Sequence, residues 1–307
     1  MAKTSPLTPR KLPYQAVPDG LRGSLKTALN AVLKRAGLEI GTTLEKRIED
    51  ARLRKLHERG HWSNPRYTQG LALDCEAALT FLGETCLPYQ AGCEALPLSP
   101  NGDYSQYFLE NDWFRSVDAE VLYSLLRRYQ PANVVEVGSG FSTRLMRRAI
   151  KDGKLATKVI SIDPHPNTSV QPYADEYIRA AVEDVDPAKI LNLLSAGDVL
   201  FIDSSHTVKT GGDIPYLFLD ILPRLGAGVF IHVHDIFLPF DYPEEWVLED
   251  CGWNEQYLVH AFLSYNETFE ILWPASYVWA HRKREILRII RTASTAARPS
   301  SLWLKKR

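Results

Sequence analysis

The stretch Val134-Val-Glu-Val-Gly-Ser-Gly-Phe-Ser-Thr143 constrains the fold of this chain more than any other. Val134, Val135 and Val137 form a short β-branched run, the pattern of a central parallel strand covered on both faces. Gly138 and Gly140 follow, and a helical pattern opens near Ser142. Glycines let the backbone turn tightly and approach a ligand, and the first amides of a helix are left free to donate. A dinucleotide fingerprint, G-x-G-x-x-G, needs a third glycine where this chain has Thr143, which weakens an NAD reading. Glu136 stands inside the apolar run, where a carboxylate is costly unless it finds hydrogen-bond donors or a cationic ligand.

Composition narrows the class. A chain of 307 residues, 45% hydrophobic and 24% charged, can hold one large α/β domain plus an appendage. The sequence has no run apolar enough to span a membrane, and Met-Ala-Lys-Thr-Ser-Pro6 lacks the apolar core of a secretory signal, so a cytoplasmic location is expected. Cys75, Cys86, Cys93 and Cys251 form no C-x-x-C pair and read as free thiols of a reducing compartment. A net charge of -1 argues against a general nucleic-acid binder.

Glu136-x-Gly138-x-Gly140 after a hydrophobic strand resembles motif I of the class I S-adenosylmethionine (SAM)-dependent methyltransferases, and four later segments fall in the order of that fold. Val159–Asp163 matches its second strand, Ala180–Asp184 the end of its third, Asp198–Asp203 its fourth and Gly228–Asp235 its fifth. Ile202-Asp-Ser-Ser-His206 followed by His234-Asp235 is similar, more narrowly, to the small-molecule O-methyltransferase branch that includes cephalosporin-hydroxylase-like proteins. The resemblance implies an α/β fold with a Rossmann-like, seven-stranded, mostly parallel sheet whose last strand is antiparallel, plus an N-terminal helical cap. It also implies SAM as cofactor. Glu136, Gly138, Ser139, Gly140 and Thr143 would surround that cofactor, Asp163 would take the ribose hydroxyls, and Glu183 and Asp184 would lie near the adenine, with Asp203 beside them.

Catalytic chemistry is expected at the carboxyl ends of strands four and five, where open parallel sheets hold ligands. Asp203 and Asp235 close those strands, with His206 and His234 beside them. Methyl transfer requires positioning of the nucleophile and removal of its proton, by a general base or by a divalent cation that acidifies it. A resemblance to catechol-type O-methyltransferases, with Asp203 at the place of their strand-four metal-binding acid and His234-Asp235 at that of their strand-five Asp-Asn pair, implies Asp203, His234 and Asp235 as the metal set. His206, His234 and Asp235 are the expected catalytic set, and metal and acid-base readings both stand. Imidazole at His234 favours a softer ion than magnesium. His232, inside the strand, is read as a core histidine, and His165 as an exposed loop residue.

Four regions are expected: a flexible tail at 1–20, a helical cap with an aromatic lid at 21–115, the SAM-binding core at 116–280, and a basic C-terminal helix and tail at 281–307. Leu25, Leu29, Val32 and Leu33 recur at one-face helical spacing, followed by Leu44, Ile48, Leu53 and Leu56. Leu87–Asp103 reads as a long loop. Tyr104, Tyr107 and Trp113 are candidates for a lid over the sulfonium, through cation–π contact, or for plain core. The proline-marked loop Ile236–Trp246 is placed at the crevice mouth, as a pocket wall. Thr268–Trp273 and Ser276–Trp279 read as a closing strand pair. Nine Lys or Arg against Glu285 in 281–307 suggest either a docked helix with a solvated face or peripheral contact with an anionic membrane. A small-molecule acceptor, most naturally a hydroxyl of a sugar or natural-product scaffold, is the expected partner; a cofactor-dependent hydroxylase and a non-catalytic SAM-fold subunit are the alternatives.

Overall fold

The computed structural model describes residues 28–36, 43–100, 102–165, 170–249 and 251–307. The expected tail at 1–20 and the helical position Leu25 lie outside the described residues. The chain divides into two compact units, Met1–Arg59 and Gly60–Arg307. In the first, Thr43–Glu58 is an α-helix. Leu29, Val32 and Ile48 of its expected apolar stripe are exposed, and Leu53 is buried.

The second unit is built on one seven-stranded sheet of order β3-β2-β1-β4-β5-β7-β6. The strands are β1 (Asn133–Val137), β2 (Lys158–Ile162), β3 (Glu176–Ile178), β4 (Val199–Ile202), β5 (Phe230–Val233), β6 (Phe269–Pro274) and β7 (Leu302–Lys306). β1 to β5 pair in parallel, whereas β7 runs antiparallel to both β5 and β6. The expected mostly parallel sheet with an antiparallel last strand is therefore present. β1, β4 and β5 are buried along nearly their whole length, which is why their sequences are mostly Val, Ile, Leu and Phe rather than alternating, with Glu136 and His232 as buried polar exceptions.

Helices cover both faces. α1 (Cys75–Cys86) starts at Asp74, whose Oδ1 accepts from the amides of Glu76 at 2.8 Å and Ala77 at 3.1 Å. It packs on α2 (Asp118–Tyr129) and on α6 (Ala275–Ile289), so Leu82, Leu122, Leu125, Val278 and Ile286 share one core. α3 (Phe141–Gly153) follows β1, α4 (Pro187–Asn192) precedes β4, and α5 (Glu255–Leu263) precedes β6.

Three expected segments differ. Leu87–Asp103 is not one loop, because a turn at Leu87–Tyr89 and a short helix, Gln90–Glu94, bury Cys93. Ser276–Trp279 is not a strand: it forms the first turns of α6. The second closing strand is Leu302–Lys306, in the stretch read as a basic tail, and it inserts between β5 and β6. Its Leu302, Trp303 and Leu304 are buried, and Lys305 and Lys306 snorkel outward over Phe230 and Phe269. α6 turns Val278 and Ile286 into the core, so these residues are not free to enter a membrane surface. No helix among the described residues is long and apolar enough to cross a membrane.

Because Trp303 is fully buried against Phe201 and His232, Trp303→Ala should destabilise this unit by about 3–5 kcal/mol, read as a lowered midpoint in chemical denaturation. A shift under ~1 kcal/mol would mean that β7 is not integral to the core.

Candidate active site

The carboxyl ends of the parallel strands open onto one cavity of about 980 Å³. Its wall is supplied by the turns after β1 (Gly138–Ser142), β2 (Asp163–His165), β4 (Asp203–His206) and β5 (His234 and Asp235). Gly138 has φ 83°, and a Cβ built on it would stand 1.7 Å from the carbonyl oxygen of Asp203, so glycine is required there. Gly140 differs. A Cβ on it would meet nothing within 4 Å, which leaves its backbone open to a ligand.

Beneath this turn the Glu136 carboxylate is fully buried and accepts three hydroxyl hydrogen bonds, from Ser142 at 2.7 Å, Thr143 at 2.7 Å and Ser161 at 2.6 Å. Thr143 Oγ1 in turn accepts from the Gly140 amide at 3.0 Å. Burial raises the Glu136 carboxyl to about 7, with the three hydroxyls opposing that rise. Glu136 and Thr143, expected around the cofactor, are thus not on the cavity wall: they brace the turn from below. Asp163 is on the wall, where its Oδ2 accepts from the Ser139 amide at 2.9 Å and hydroxyl at 2.8 Å, and its Oδ1 from the His165 amide at 2.7 Å. The third strand ends at Ile178, earlier than expected; Glu183 reaches the wall and Asp184 does not.

The strand-four and strand-five residues converge. His206 Nε2 lies 3.3 Å from Asp203 Oδ1 and 3.8 Å from Asp235 Oδ2, and its Nδ1 lies 3.0 Å from Glu255 Oε2. His234 Nδ1 lies 3.5 Å from Asp235 Oδ2 and 3.7 Å from Asp203 Oδ2, with Nε2 3.8 Å from Asp118 Oδ2. Each imidazole therefore sits between the central Asp203–Asp235 pair and one outer buried carboxylate. His206 and Asp235 both occupy the left-handed region, at φ 54° and 55°. Hydrogen bonds pin them there: the His206 carbonyl accepts from the Asn254 and Glu255 amides, and Ser300 Oγ donates to Asp235 Oδ1 at 2.8 Å.

Charge follows from this geometry. Burial alone would lower the His206 imidazole, but hydrogen bonds with Asp203 and Glu255 outweigh it and lift it to about 10. His234 is also raised, because Asp235 and Asp203 overcome its burial. The Asp203 and Asp235 carboxyls are held below their ordinary value, with the imidazoles outweighing desolvation.

One ligand atom each from Asp203, His206 and Asp235 falls within a 4.8 Å group that could hold a metal ion. That group contains His206, where His234 was expected beside the two acids. Sequence reading missed Asp118, Glu255 and Ser300, each remote in the chain; the acid Glu255 at the start of a largely apolar helix was the only signal. Of the three lid candidates, Tyr107 is core, with its hydroxyl donating to the Phe114 carbonyl at 2.8 Å, and Tyr104 lies off the cavity wall. Trp113 lines the cavity while 65% exposed, joined by Phe237, Pro243 and Trp246 of the expected wall loop. His232 is a core residue within hydrogen-bond distance of Ser301 Oγ, at 2.8 Å.

Residues 135–236 match a family model described as a methyltransferase domain. Solved structures similar to the chain include an S-adenosylhomocysteine (SAH)-bound methyltransferase from Podospora anserina, at 13% identity over 88% of this chain and 98% of that one, with a TM-score of 0.38. An O-methyltransferase from Bacillus cereus in complex with SAH is 14% identical over 74% of this chain and 91% of that one, with a TM-score of 0.35. No curated protein matches the sequence.

Glu136 generates a pH prediction. Its folded value, about 7, lies above the unfolded 4.5, so its contribution to stability is fully present below pH 4.5 and is lost as pH rises through 7. Glu136→Gln should remove roughly 3 kcal/mol of that pH dependence, seen by comparing denaturation midpoints of the two proteins between pH 4.5 and 8. Parallel profiles would place the ionisation elsewhere.

Proposed function

We propose that this protein transfers a methyl group from SAM to a hydroxyl of a small acceptor, assisted by a divalent cation at the Asp203–His206–Asp235 group. The observation that carries the reading is that this acid-imidazole cluster and the Gly138–Gly140 turn with Asp163 line one cavity. SAM, when bound, supplies a methyl carbon activated by its sulfonium. The fit rests on this chain's residues: Gly140 leaves its backbone uncovered, and Asp163 sits at the end of β2, beside the turn.

A divalent cation, when bound, lowers the pKa of a hydroxyl beside it. Two strand-end carboxylates facing each other beside His206 fit a positive guest. The mixed oxygen and imidazole donors suit manganese or zinc as well as magnesium. A metal-free mechanism in which His206 or His234 is the general base is the alternative; the neighbouring carboxylates raise both imidazoles, His206 to about 10, which works against a free base there. Trp113, Phe237, Trp246 and Trp253 give the acceptor an apolar, aromatic wall.

Calorimetry with SAH tests the cofactor half. Asp163→Ala should weaken SAH binding by about 1.5–3 kcal/mol, whereas NAD should not bind. Unchanged affinity in the folded variant would place the ribose elsewhere.

The cation half is tested by chelation, with turnover followed as transfer of isotope-labelled methyl from SAM into small-molecule extracts, read by mass spectrometry. Chelator should abolish transfer, a divalent ion should restore it, and Asp235→Ala should lose metal and turnover together. Metal affinity should rise with pH, since the ion displaces a proton that His206 holds up to about 10. Full transfer in chelator would remove the cation from the mechanism.

A further inference from the structure

The two imidazoles of the cluster are buttressed differently. His234 faces Asp118 across 3.8 Å, too far for a hydrogen bond, and both oxygens of Asp118 are already committed, Oδ2 to the Ser300 amide at 2.8 Å and Oδ1 to the Ser301 amide at 3.2 Å. Asp118 thus serves the lead into β7. Glu255 has no such commitment. Its side chain is 1% exposed, its Oε2 meets His206 Nδ1 at 3.0 Å, and its Oε1 is buried without a protein partner. A buried carboxylate is costly, and among the described residues the side chain that offsets the cost is His206.

The backbone repeats the pairing. The amides of Asn254 and Glu255 both donate to the His206 carbonyl, and the Trp253 ring packs on the imidazole with centroids 4.2 Å apart. The start of α5 thereby fixes His206 in its left-handed conformation and in its ring orientation together. Glu255 does not line the cavity, so it acts only through the histidine.

We infer that Glu255 is a positioning residue, which holds a proton on Nδ1 of His206 and thereby aims Nε2 at the Asp203–Asp235 pair. A carboxylate that fixes one nitrogen leaves the other as the ligand atom, and it raises that atom's basicity. The inference rests on the proposed cation site only for what Nε2 serves; the Glu255–His206 bond stands apart from it.

Two measurements on the full chain test it. In protein carrying ¹⁵N-labelled histidine, with His206→Ala identifying the signal, the Nδ1-bound proton of His206 should be shifted downfield and protected from exchange. Glu255→Gln should move it upfield and speed its exchange. Calorimetric titration with Mn²⁺ alone should show Glu255→Gln binding 10- to 100-fold more weakly, on the order seen when outer partners of ligating histidines are removed, with SAH affinity kept. A wild-type His206 without a proton on Nδ1, or a folded Glu255→Gln protein with that signal and its Mn²⁺ affinity unchanged, would overturn the assignment. If the wild type takes no Mn²⁺, the cation reading falls and the proton signal alone decides the role of Glu255. If Glu255→Gln does not fold, the wild-type signal decides it.

Discussion

The carboxylate of Glu136 is the interaction on which the glycine turn at the cavity depends. It sits in β1 with no exposure to water, and it is tolerated there because hydroxyls from three places donate to it. Ser161 comes from the neighbouring strand β2, and Ser142 and Thr143 from the first turn of α3. One buried group therefore fixes a strand, its neighbour and the helix that leaves the turn between them. The turn is then constrained from the other side, since Gly138 lies against the Asp203 backbone with no room for a side chain. The open face of Gly140 follows from these two constraints.

A second constraint is electrostatic. Asp203 and Asp235 are brought together by parallel strands in register: the Asp203 amide donates to the Val137 carbonyl, and the His234 amide to the Ile202 carbonyl, carrying the ladder past the strand ends. Acids this close repel each other unless positive charge lies between or beside them. Two imidazoles stand beside them in this structure, and the attraction between the two kinds of group raises both histidines and lowers both aspartates. The same arrangement suits a divalent ion, whose entry would exchange with those protons.

The chain reaches this site from segments far apart. Ser300 holds Asp235 from the lead into β7, and Asp118 at the start of α2 accepts from Ser300 and Ser301. The last strand is thus both a structural element of the sheet and the support of one catalytic candidate. The loop after β5 contributes Phe237 and Trp246 to the cavity, and Asp241 in it is held by His61 at 2.7 Å and by the Tyr257 hydroxyl at 2.6 Å.

The sequence by itself determined the parallel half of the sheet, because β1, β2, β4 and β5 are largely buried and appear as mostly apolar runs, followed by Gly138, Asp163, Asp203 and His234-Asp235. It also determined that Gly138, Asp163, Asp203 and His234 would stand at strand ends, since each directly follows such a run, with Asp235 and His206 in the turns just beyond. Only the tertiary structure decided the antiparallel end. Ser276–Trp279 has a strand-like composition but continues as α6, and Leu302–Lys306 carries basic residues that concealed a buried strand whose lysines reach outward. Glu136 and Glu255 could not be sorted from sequence for the same reason: a carboxylate's role depends on what it faces. The hydroxyls under Glu136 lie up to 25 residues away, and His206 lies 49 residues from Glu255. Those pairings exist only once the strands have assembled and water has been excluded from between them.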